Sequence, residues 1–250
     1  MNYSSYIKDG LLCWTLTSNG YKFLTLNFYK HWQRSCPVPL LIICADKPSY
    51  TFFQREGIVS RLVDEGVQDY GIYIIPFGTL FFQRLNRMKL HILNSIANDP
   101  LVKRSVYLDG DICVYKNFLE DIQGRLEVCP LVFQCDENER ENECTKPCQN
   151  VCTGLIAFVH GHDNGIFKIN DESIWQQKPE DQVWVNYKIK QTGCQYSSLP
   201  RDLYPNGVRL THIKKNPELL EKAFLSHYNY RIGNSKKADM KRYGDWLLPY

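Results

Sequence analysis

The stretch Ser105-Val106-Tyr107-Leu108-Asp109-Gly110-Asp111-Ile112-Cys113-Val114 decides the predicted fold. Apolar residues stand on both sides of two carboxylates one residue apart, as in a buried strand that ends in an acidic turn. Carboxylates at i and i+2 of an extended segment point to the same side, and the glycine between them allows close backbone approach to a ligand. Such pairs hold Mg²⁺ or Mn²⁺, although they also occur in solvated turns. We therefore predict a divalent-cation site here.

Alternating strands and helices precede this turn. The apolar stretch 11–17 predicts a first strand, and 39–45 has the continuous apolar character of a strand buried on both faces of a parallel sheet. The other expected segments are a helix over 21–33, a helical segment around 50–65, a third strand over 71–76 and a long helix over 81–97. This alternation predicts an α/β fold with a doubly wound, mostly parallel sheet. The acidic pair then follows the fourth strand, at the edge where open sheets bind ligands.

The second half of the chain continues this pattern and then becomes polar. Strands are expected over 131–133 and 153–159, joined by an acidic loop over 136–150. A helix is expected over 179–190, with Asp181 in its first turn, where the helix dipole favours a carboxylate. Segment 203–208 has Pro and Gly at turn positions before an expected short strand. A lone histidine followed by Gly and Lys is most often part of an ordinary polar tail. Here the C-terminal segment also offers a candidate third metal ligand and groups suited to a diphosphate: His227, Gly233, Lys236 and Lys237.

Size and charge exclude several classes of protein. The 250 residues suffice for a large core, and 44% apolar with 23% charged residues is typical of a globular protein. A net charge of +3 is too small to indicate a nucleic-acid partner. No apolar run approaches the length of a transmembrane segment, and residues 1–6 lack the basic and apolar regions of a signal peptide. We therefore expect a cytoplasmic protein.

Ten cysteines require an explanation. Cys13, Cys44, Cys113 and Cys129 lie in or beside apolar runs, where a thiol behaves as a small core residue. Four others cluster in and beside the polar loop, namely Cys135, Cys144, Cys148 and Cys152. They fit a structural zinc site, free thiols or an adventitious disulfide, and their spacing differs from the usual zinc-binding pairs.

Basic residues occur on the helix that precedes the acidic strand. A solvated basic face is the simplest interpretation, and we keep it for Arg84. Arg87 and Lys89 are candidates to reach a diphosphate at the end of the next strand.

With these residues in place, the chain resembles the GT-A type nucleotide-diphospho-sugar transferases, specifically the group with plant cell-wall xylosyl- and arabinosyl-type transferases and viral or microbial relatives. The resemblance covers most of the chain and depends on the order and spacing of several short motifs. These are Asn19-Gly20-Tyr21, Ala45-Asp46, Lys89, Leu108-Asp109-Gly110-Asp111, Thr153-Gly154-Leu155, Asp181-Gln182, Tyr204-Pro205-Asn206-Gly207, and His227-Tyr228-Asn229 with Gly233 and Lys237. Gly110 replaces the more common Ala or Ser, and the loop that contains the cysteines is not expected of the group.

The resemblance implies a GT-A fold in one domain over 1–250, with a nucleotide-binding part over about 1–115. The acceptor-side part and a C-terminal phosphate-binding tail then take about 116–250. It also implies roles for individual residues. The expected ligands of Mn²⁺ or Mg²⁺ are Asp109, Asp111 and His227, and the nucleoside is bordered by Thr17 and Asp46. The residues expected near the diphosphate are Lys89, Gly110, Gly233, Lys236 and Lys237. Those expected near the transferred sugar or acceptor are Thr153, Gly154, Asp181 and Gln182.

The activity implied by the resemblance is transfer of a sugar from a nucleotide diphosphate sugar to a hydroxyl of a glycan or glycoprotein. The expected donor is a UDP-sugar, with a GDP-sugar as the alternative. Lys237 would stabilise the leaving diphosphate, and Asp181 would act as base in an inverting reaction or position the acceptor in a retaining one.

Two alternatives compete with this interpretation. One is a nucleotide-sugar-binding module that has lost turnover. The other is a haloacid-dehalogenase-type phosphatase, which also uses Asp-x-Asp after a strand, but that class usually places the motif on its first strand and has Thr or Val where this chain has Cys113.

Overall fold

A computed structural model describes residues 3–63, 71, 78–136 and 148–249. Its strands are β1 (Leu11–Thr17), β2 (Leu40–Cys44), β3 (Ser60–Leu62), β4 (Arg104–Leu108), β5 (Ile112–Val114), β6 (Leu131–Cys135), β7 (Val151–Val159), β8 (Ser197–Ser198) and β9 (Leu225–His227). Its helices are α1 (Lys22–Ser35), α2 (Lys47–Arg55), α3 (Leu80–Ala97), α4 (Leu119–Val128), α5 (Glu172–Gln177), α6 (Asp181–Thr192), α7 (Gly207–Lys214), α8 (Pro217–Lys222) and α9 (Asn234–Arg242).

A seven-stranded sheet in the order β3-β2-β1-β4-β7-β6-β8 forms the centre of the described chain. Strands β3, β2, β1 and β4 are parallel, whereas β7 runs antiparallel to both β4 and β6. The carboxyl ends of β1, β4 and β6 and the amino end of β7 therefore lie at one edge. This confirms the predicted α/β fold with a mostly parallel sheet.

Alternate residues of the sheet pack on helices at its two faces. In β4, Val106 and Leu108 belong to the core that contains α1 and α4, whereas Tyr107 belongs to the core that contains α3 and α6. Each face buries bulky aromatic side chains, such as Trp32 on α1 and Trp184 on α6. Burial of side chains this large is the main source of stability in such a sheet. Among the described helices, none combines the length and apolar character needed to cross a bilayer.

A small ribbon extends beyond the carboxyl end of β4. Strands β5 and β9 pair antiparallel, with Ile112 opposite His227, and the backbone N–H of Tyr228 donates to the carbonyl of Asp111 at 3.2 Å. The ribbon thus brings the C-terminal histidine to the acidic turn.

The C-terminal segment is anchored beneath this ribbon by Asp245. Its carboxylate accepts hydrogen bonds from the hydroxyls of Tyr228 at 2.6 Å and Tyr115 at 2.7 Å, and from Lys214 Nζ at 2.5 Å. Its carbonyl accepts one from Asn27 Nδ2 at 3.0 Å. A buried carboxylate needs such partners, so the final residues are held to β5, β9 and α1 at once.

Two expected segments were assigned wrongly. The expected helix over 50–65 is α2, which begins earlier because Asp46 accepts from the Ser49 N–H as its N-cap and Pro48 suits the first turn. It ends at Arg55, and the next element is strand β3. The short strand expected after 203–208 is instead helix α7, which begins at Gly207. The third strand expected over 71–76 lies mainly outside the described residues.

Candidate active site

A cavity of about 490 Å³ opens at the edge where β1, β4 and β6 end. Its lining includes most of the residues expected from the sequence: Thr17, Lys89, Asp109, Gly110, Asp111, Thr153, Gly154, Asp181, Gln182, His227, Gly233 and Lys236. These residues come from six separate parts of the chain. The sheet edge is what brings them together.

Three potential metal ligands meet at the floor of this cavity. Asp109, Asp111 and His227 each offer one ligand atom, and these atoms all lie within 4.8 Å of one another. His227 Nε2 is 3.3 Å from Asp111 Oδ1 and 3.7 Å from Asp109 Oδ2. Two carboxylates and an imidazole form a donor set that suits Mn²⁺ and can also hold Mg²⁺.

The orientation of His227 is set by Gln134 on β6. The Gln134 amide nitrogen donates to the Tyr204 carbonyl at 2.9 Å, which leaves its Oε1 to accept from His227 Nδ1 at 2.7 Å. Nδ1 therefore carries a ring proton, and Nε2 faces the aspartates, where it can give its lone pair to a metal ion once its own proton is lost. Within the described part of the chain, buried Nε2 has no hydrogen-bond partner. An orphaned buried nitrogen of this kind fits a metal ligand.

Electrostatics at His227 agree with a cation site. Burial alone lowers the pKa of the imidazole, but the negative charge of Asp111 raises that pKa to about 10. The site thus retains a proton where no other cation is bound, and a divalent ion would displace it.

Replacing Gln134 with Met should weaken metal binding. The change keeps side-chain volume but removes the acceptor that fixes the Nδ1 proton, and loss of such outer partners costs about 10- to 100-fold in metal affinity. Mn²⁺ titration followed by calorimetry measures this. Gln33→Met, on the exposed face of α1, is the matched control and should bind as the parent does. Equal affinity in the Gln134 variant would contradict the role assigned to that side chain.

Two glycines allow the close packing around the metal ligands. A Cβ on Gly154 would lie 2.0 Å from His227 Cε1 and 2.9 Å from Asp109 Oδ2. A Cβ on Gly110 would lie 2.3 Å from Thr25 Oγ1 on α1, which in turn donates to Thr17 Oγ1 at 2.9 Å. No larger side chain fits at either position without displacing a neighbour. This accounts for Gly110 where Ala or Ser is more common.

Lys89 connects the metal ligands to the acceptor side of the cavity. Its ammonium lies 2.7 Å from Asp181 Oδ2 and 3.2 Å from Asp109 Oδ1, above the ring of Tyr107. Asp181 also accepts from Thr153 Oγ1 at 2.8 Å. Burial disfavours the charged lysine, but the two carboxylates more than compensate and raise its pKa. Lys89 therefore holds both aspartates in place.

The two C-terminal lysines differ in their surroundings. Lys236 lines the cavity and donates to Asp111 Oδ2, whereas Lys237 Nζ lies 4.9 Å from the centre of the Trp246 ring. In the described part of the chain, the cavity lining does not include Lys237. The contact to phosphate expected of Lys237 is therefore better suited to Lys236.

Asp46 and Arg87 are engaged elsewhere. Both oxygens of Asp46 are bound inside the protein, one by the N–H of Asn19 at 2.9 Å and the other by Ser49 as the cap of α2. Asp46 thus orders the turn after β1 instead of lining the described cavity. Arg87 forms a two-pronged pair with Glu172 on α5. Of the two basic candidates on α3, only Lys89 reaches the site.

Asp136, the first residue of the expected acidic loop over 136–150, lines the cavity. It follows β6, and its carboxylate accepts from Gln182 Nε2 at 2.6 Å, Asn206 Nδ2 at 3.3 Å and Asn229 Nδ2 at 3.4 Å. Burial raises its pKa above the usual range, although these hydrogen bonds oppose that effect. Other residues of the lining that the analysis did not select are Tyr21, Asn86, Cys152 and Tyr230.

The described loop cysteines, Cys135, Cys148 and Cys152, do not form a zinc site. Cys135 and Cys148 form a disulfide, so neither offers a thiolate. Cys135 is opposite Val151 in the ladder, so the adjacent Cys152 projects from the other face of the sheet, where its sulfur is 3.8 Å from His227 Nδ1. Cys144 lies outside the described residues. Disulfides are rare in a reducing cytosol, so this bond does not support the cytoplasmic prediction.

Comparison by sequence identifies no relative: no family model matches the chain, and no curated protein matches it. Comparison by structure gives clear similarities. The galactosyltransferase LgtC, solved with donor and acceptor sugar analogues, superposes with a TM-score of 0.61 at 12% identity, over 95% of this chain and 97% of that one.

Two further solved structures are similar along nearly their whole length. A glycosyltransferase involved in glycosylation of the major capsid of PBCV-1 gives a TM-score of 0.56 at 12% identity, over 92% of this chain and 98% of that one. Mouse xyloside xylosyltransferase 1 gives 0.53 at 8% identity, over 88% and 98%. At identities this low, structural similarity shows the fold alone. The chain therefore has the GT-A fold of these glycosyltransferases.

Proposed function

We propose that the protein is a metal-dependent glycosyltransferase that moves a sugar from a nucleotide diphosphate sugar to a hydroxyl of a glycan or glycoprotein. One observation carries this proposal: Asp109, Asp111 and the orphaned Nε2 of His227 converge at the floor of a cavity in a GT-A fold. A divalent cation held there would neutralise charge that develops on the departing diphosphate.

The volume and the lining of the cavity suit a nucleotide diphosphate sugar. Its volume falls within the range typical of small-molecule sites, and the Tyr21 ring lines it beside Thr17. We propose that this side receives the nucleoside, with a UDP-sugar as donor and a GDP-sugar as the alternative. An aromatic ring at this point offers a flat apolar surface to a base.

The phosphate side of the cavity carries the cationic groups. Lys236 is buried at the start of α9, and Gly233, the residue before that helix, has φ 59° and lines the cavity with it. An ammonium placed beside a breaking sugar–phosphate bond stabilises the leaving group more in the transition state than in the ground state. We assign this role to Lys236.

The acceptor side is formed by Asp181, Gln182 and Asp136. The Asp181 carboxylate is already engaged by the Lys89 ammonium at 2.7 Å and by the Thr153 hydroxyl at 2.8 Å, which leaves it better placed to orient a hydroxyl than to remove its proton. We therefore propose that Asp181 positions the sugar or acceptor hydroxyl. Gln182, held by Asp136 at 2.6 Å, provides an amide next to it.

The direct test is a panel of nucleotide sugars incubated with the protein and Mn²⁺. We expect slow release of nucleotide diphosphate from one donor, because water can take the place of the acceptor hydroxyl when no acceptor is present. Chelation with EDTA should stop this release. Tight donor binding without any release would favour the binding module, and phosphate release from simple phosphoesters would favour the phosphatase.

A further inference from the structure

Both oxygens of the Asp111 carboxylate face nitrogen atoms of other side chains. Lys236 Nζ donates to Oδ2, and the imidazole nitrogen of His227 lies 3.3 Å from Oδ1. All three side chains are nearly excluded from solvent, with exposures of 4% for Asp111, 8% for Lys236 and 0% for His227. A buried carboxylate requires such compensation, because an uncompensated charge in this environment is strongly destabilising.

The pairing with Lys236 is selective. Lys237, one residue further along α9, lies over the Trp246 ring instead. The Lys236 ammonium therefore occupies the place at Asp111 where a metal ion would bind.

An ammonium and a divalent ion repel each other when both approach one carboxylate. A metal ion that binds alone must drive Lys236 from Asp111 without bringing a replacement anion for that ammonium. A metal ion that arrives with a diphosphate brings the replacement partner with it. Lys236 lines the same cavity, with its Nζ 5.9 Å from the Tyr21 ring, so it can change partner without leaving the site.

We propose that Lys236 is an internal counter-ion that holds Asp111 in the free protein and makes binding of metal and of nucleotide diphosphate mutually dependent. This inference rests on the proposed function, since it assigns a binding order to the same site. Coupling between two ligands is reciprocal, so the nucleotide must tighten metal binding by the same factor as the metal tightens nucleotide binding. Removal of the ammonium should tighten the binding of metal alone and weaken the binding of nucleotide diphosphate to the metal-loaded protein.

Lys236→Met is the decisive variant, with Lys237→Met as the matched control. Calorimetric titration with Mn²⁺ alone should show at least about fivefold tighter binding in the Lys236 variant, because no ammonium competes for Asp111. UDP, and GDP in a parallel titration, should bind more weakly to its Mn²⁺-loaded form than to that of the parent. The Lys237 variant should match the parent in both titrations. If Lys236→Met binds Mn²⁺ alone no more tightly than the parent, the inference is wrong.

Two further measurements keep the outcomes separable. Asp111→Asn should lose Mn²⁺ binding, and if it binds as the parent does, the metal site itself is wrong and the inference falls with it. If Asp111→Asn behaves as expected but Lys236→Met leaves Mn²⁺ binding unchanged, only the counter-ion role is refuted. Should Lys236→Met fold poorly, the same comparison can use Lys236→Gln. Mn²⁺ should then raise the melting temperature of the variant more than that of the parent, since ligand stabilisation follows affinity.

Discussion

The Asp111→Asn variant is expected to lose metal-dependent nucleotide binding and donor turnover while keeping its fold. The amide preserves the shape of the side chain but removes the negative charge that faces both His227 and Lys236. We expect kcat/KM to fall by about three orders of magnitude, which corresponds to roughly 4 kcal/mol of transition-state stabilisation. Donor hydrolysis at saturating Mn²⁺ measures the loss, and circular dichroism checks the fold.

A matched variant is available at Asp171, the N-cap of α5. Asn caps helices as well as Asp does, and Asp171 lies outside the described lining of the cavity. Asp171→Asn should therefore retain turnover. If Asp111→Asn and Asp171→Asn bound Mn²⁺ and nucleotide equally well, the role given to Asp111 would be untenable.

Gly154→Ala should be nearly as damaging, although it adds only one methyl group. That methyl would stand 2.0 Å from His227 Cε1, and β7 is fixed on both sides by β4 and β6. The imidazole must therefore move away from the aspartates. We expect about a 100-fold loss in metal affinity, which is the upper end of the loss seen when residues that orient metal ligands are removed. Calorimetry with Mn²⁺ measures this directly.

Gly124→Ala provides the comparison. A Cβ at Gly124, on helix α4, meets no atom within 4 Å. Alanine in a helix is favoured over glycine by about 1 kcal/mol, so this variant should be slightly more stable and fully able to bind metal. A Gly154 variant with parental Mn²⁺ affinity would show that the packing of β7 on His227 is not needed.

The fold could be predicted because its signals are local. Run 40–44 is apolar at every position and run 11–17 at all but two, and each is a fully buried strand in the structure. The errors occur where tertiary context decides. Segment 56–62 follows a capped helix and joins the sheet edge beside β2, which its own residues do not reveal.

The metal ligands could be predicted in part for the same reason. Asp109 and Asp111 could be selected from their spacing, whereas the sequence around His227 offers a histidine but does not show that it reaches the aspartates. Which of Lys236 and Lys237 faces the cavity depends on the rotation of α9 about its axis. Two adjacent lysines in a sequence carry no information about that rotation. Gln134 did offer a signal, because it is a polar residue within an otherwise apolar strand.

Asp136 was not predicted as a site residue because it was assigned to the acidic loop over 136–150. Yet β6 runs parallel to β4, so the residue after β6 reaches the same edge as Asp109. Attention to strand direction would have selected it. The disulfide at Cys135 lies immediately beside this residue and could not be inferred from cysteine spacing.

The anchoring of the final residues by Asp245 bears on how the protein matures. The carboxylates of the centre are synthesised before the imidazole, and the hydrogen bond from Tyr228 to Asp245 adds to the pairing of β9 with β5. A nascent chain therefore lacks the imidazole of the cation site until β9 has docked. Affinity for the ion should accordingly appear late and abruptly, as a marker that the polypeptide has reached its native state.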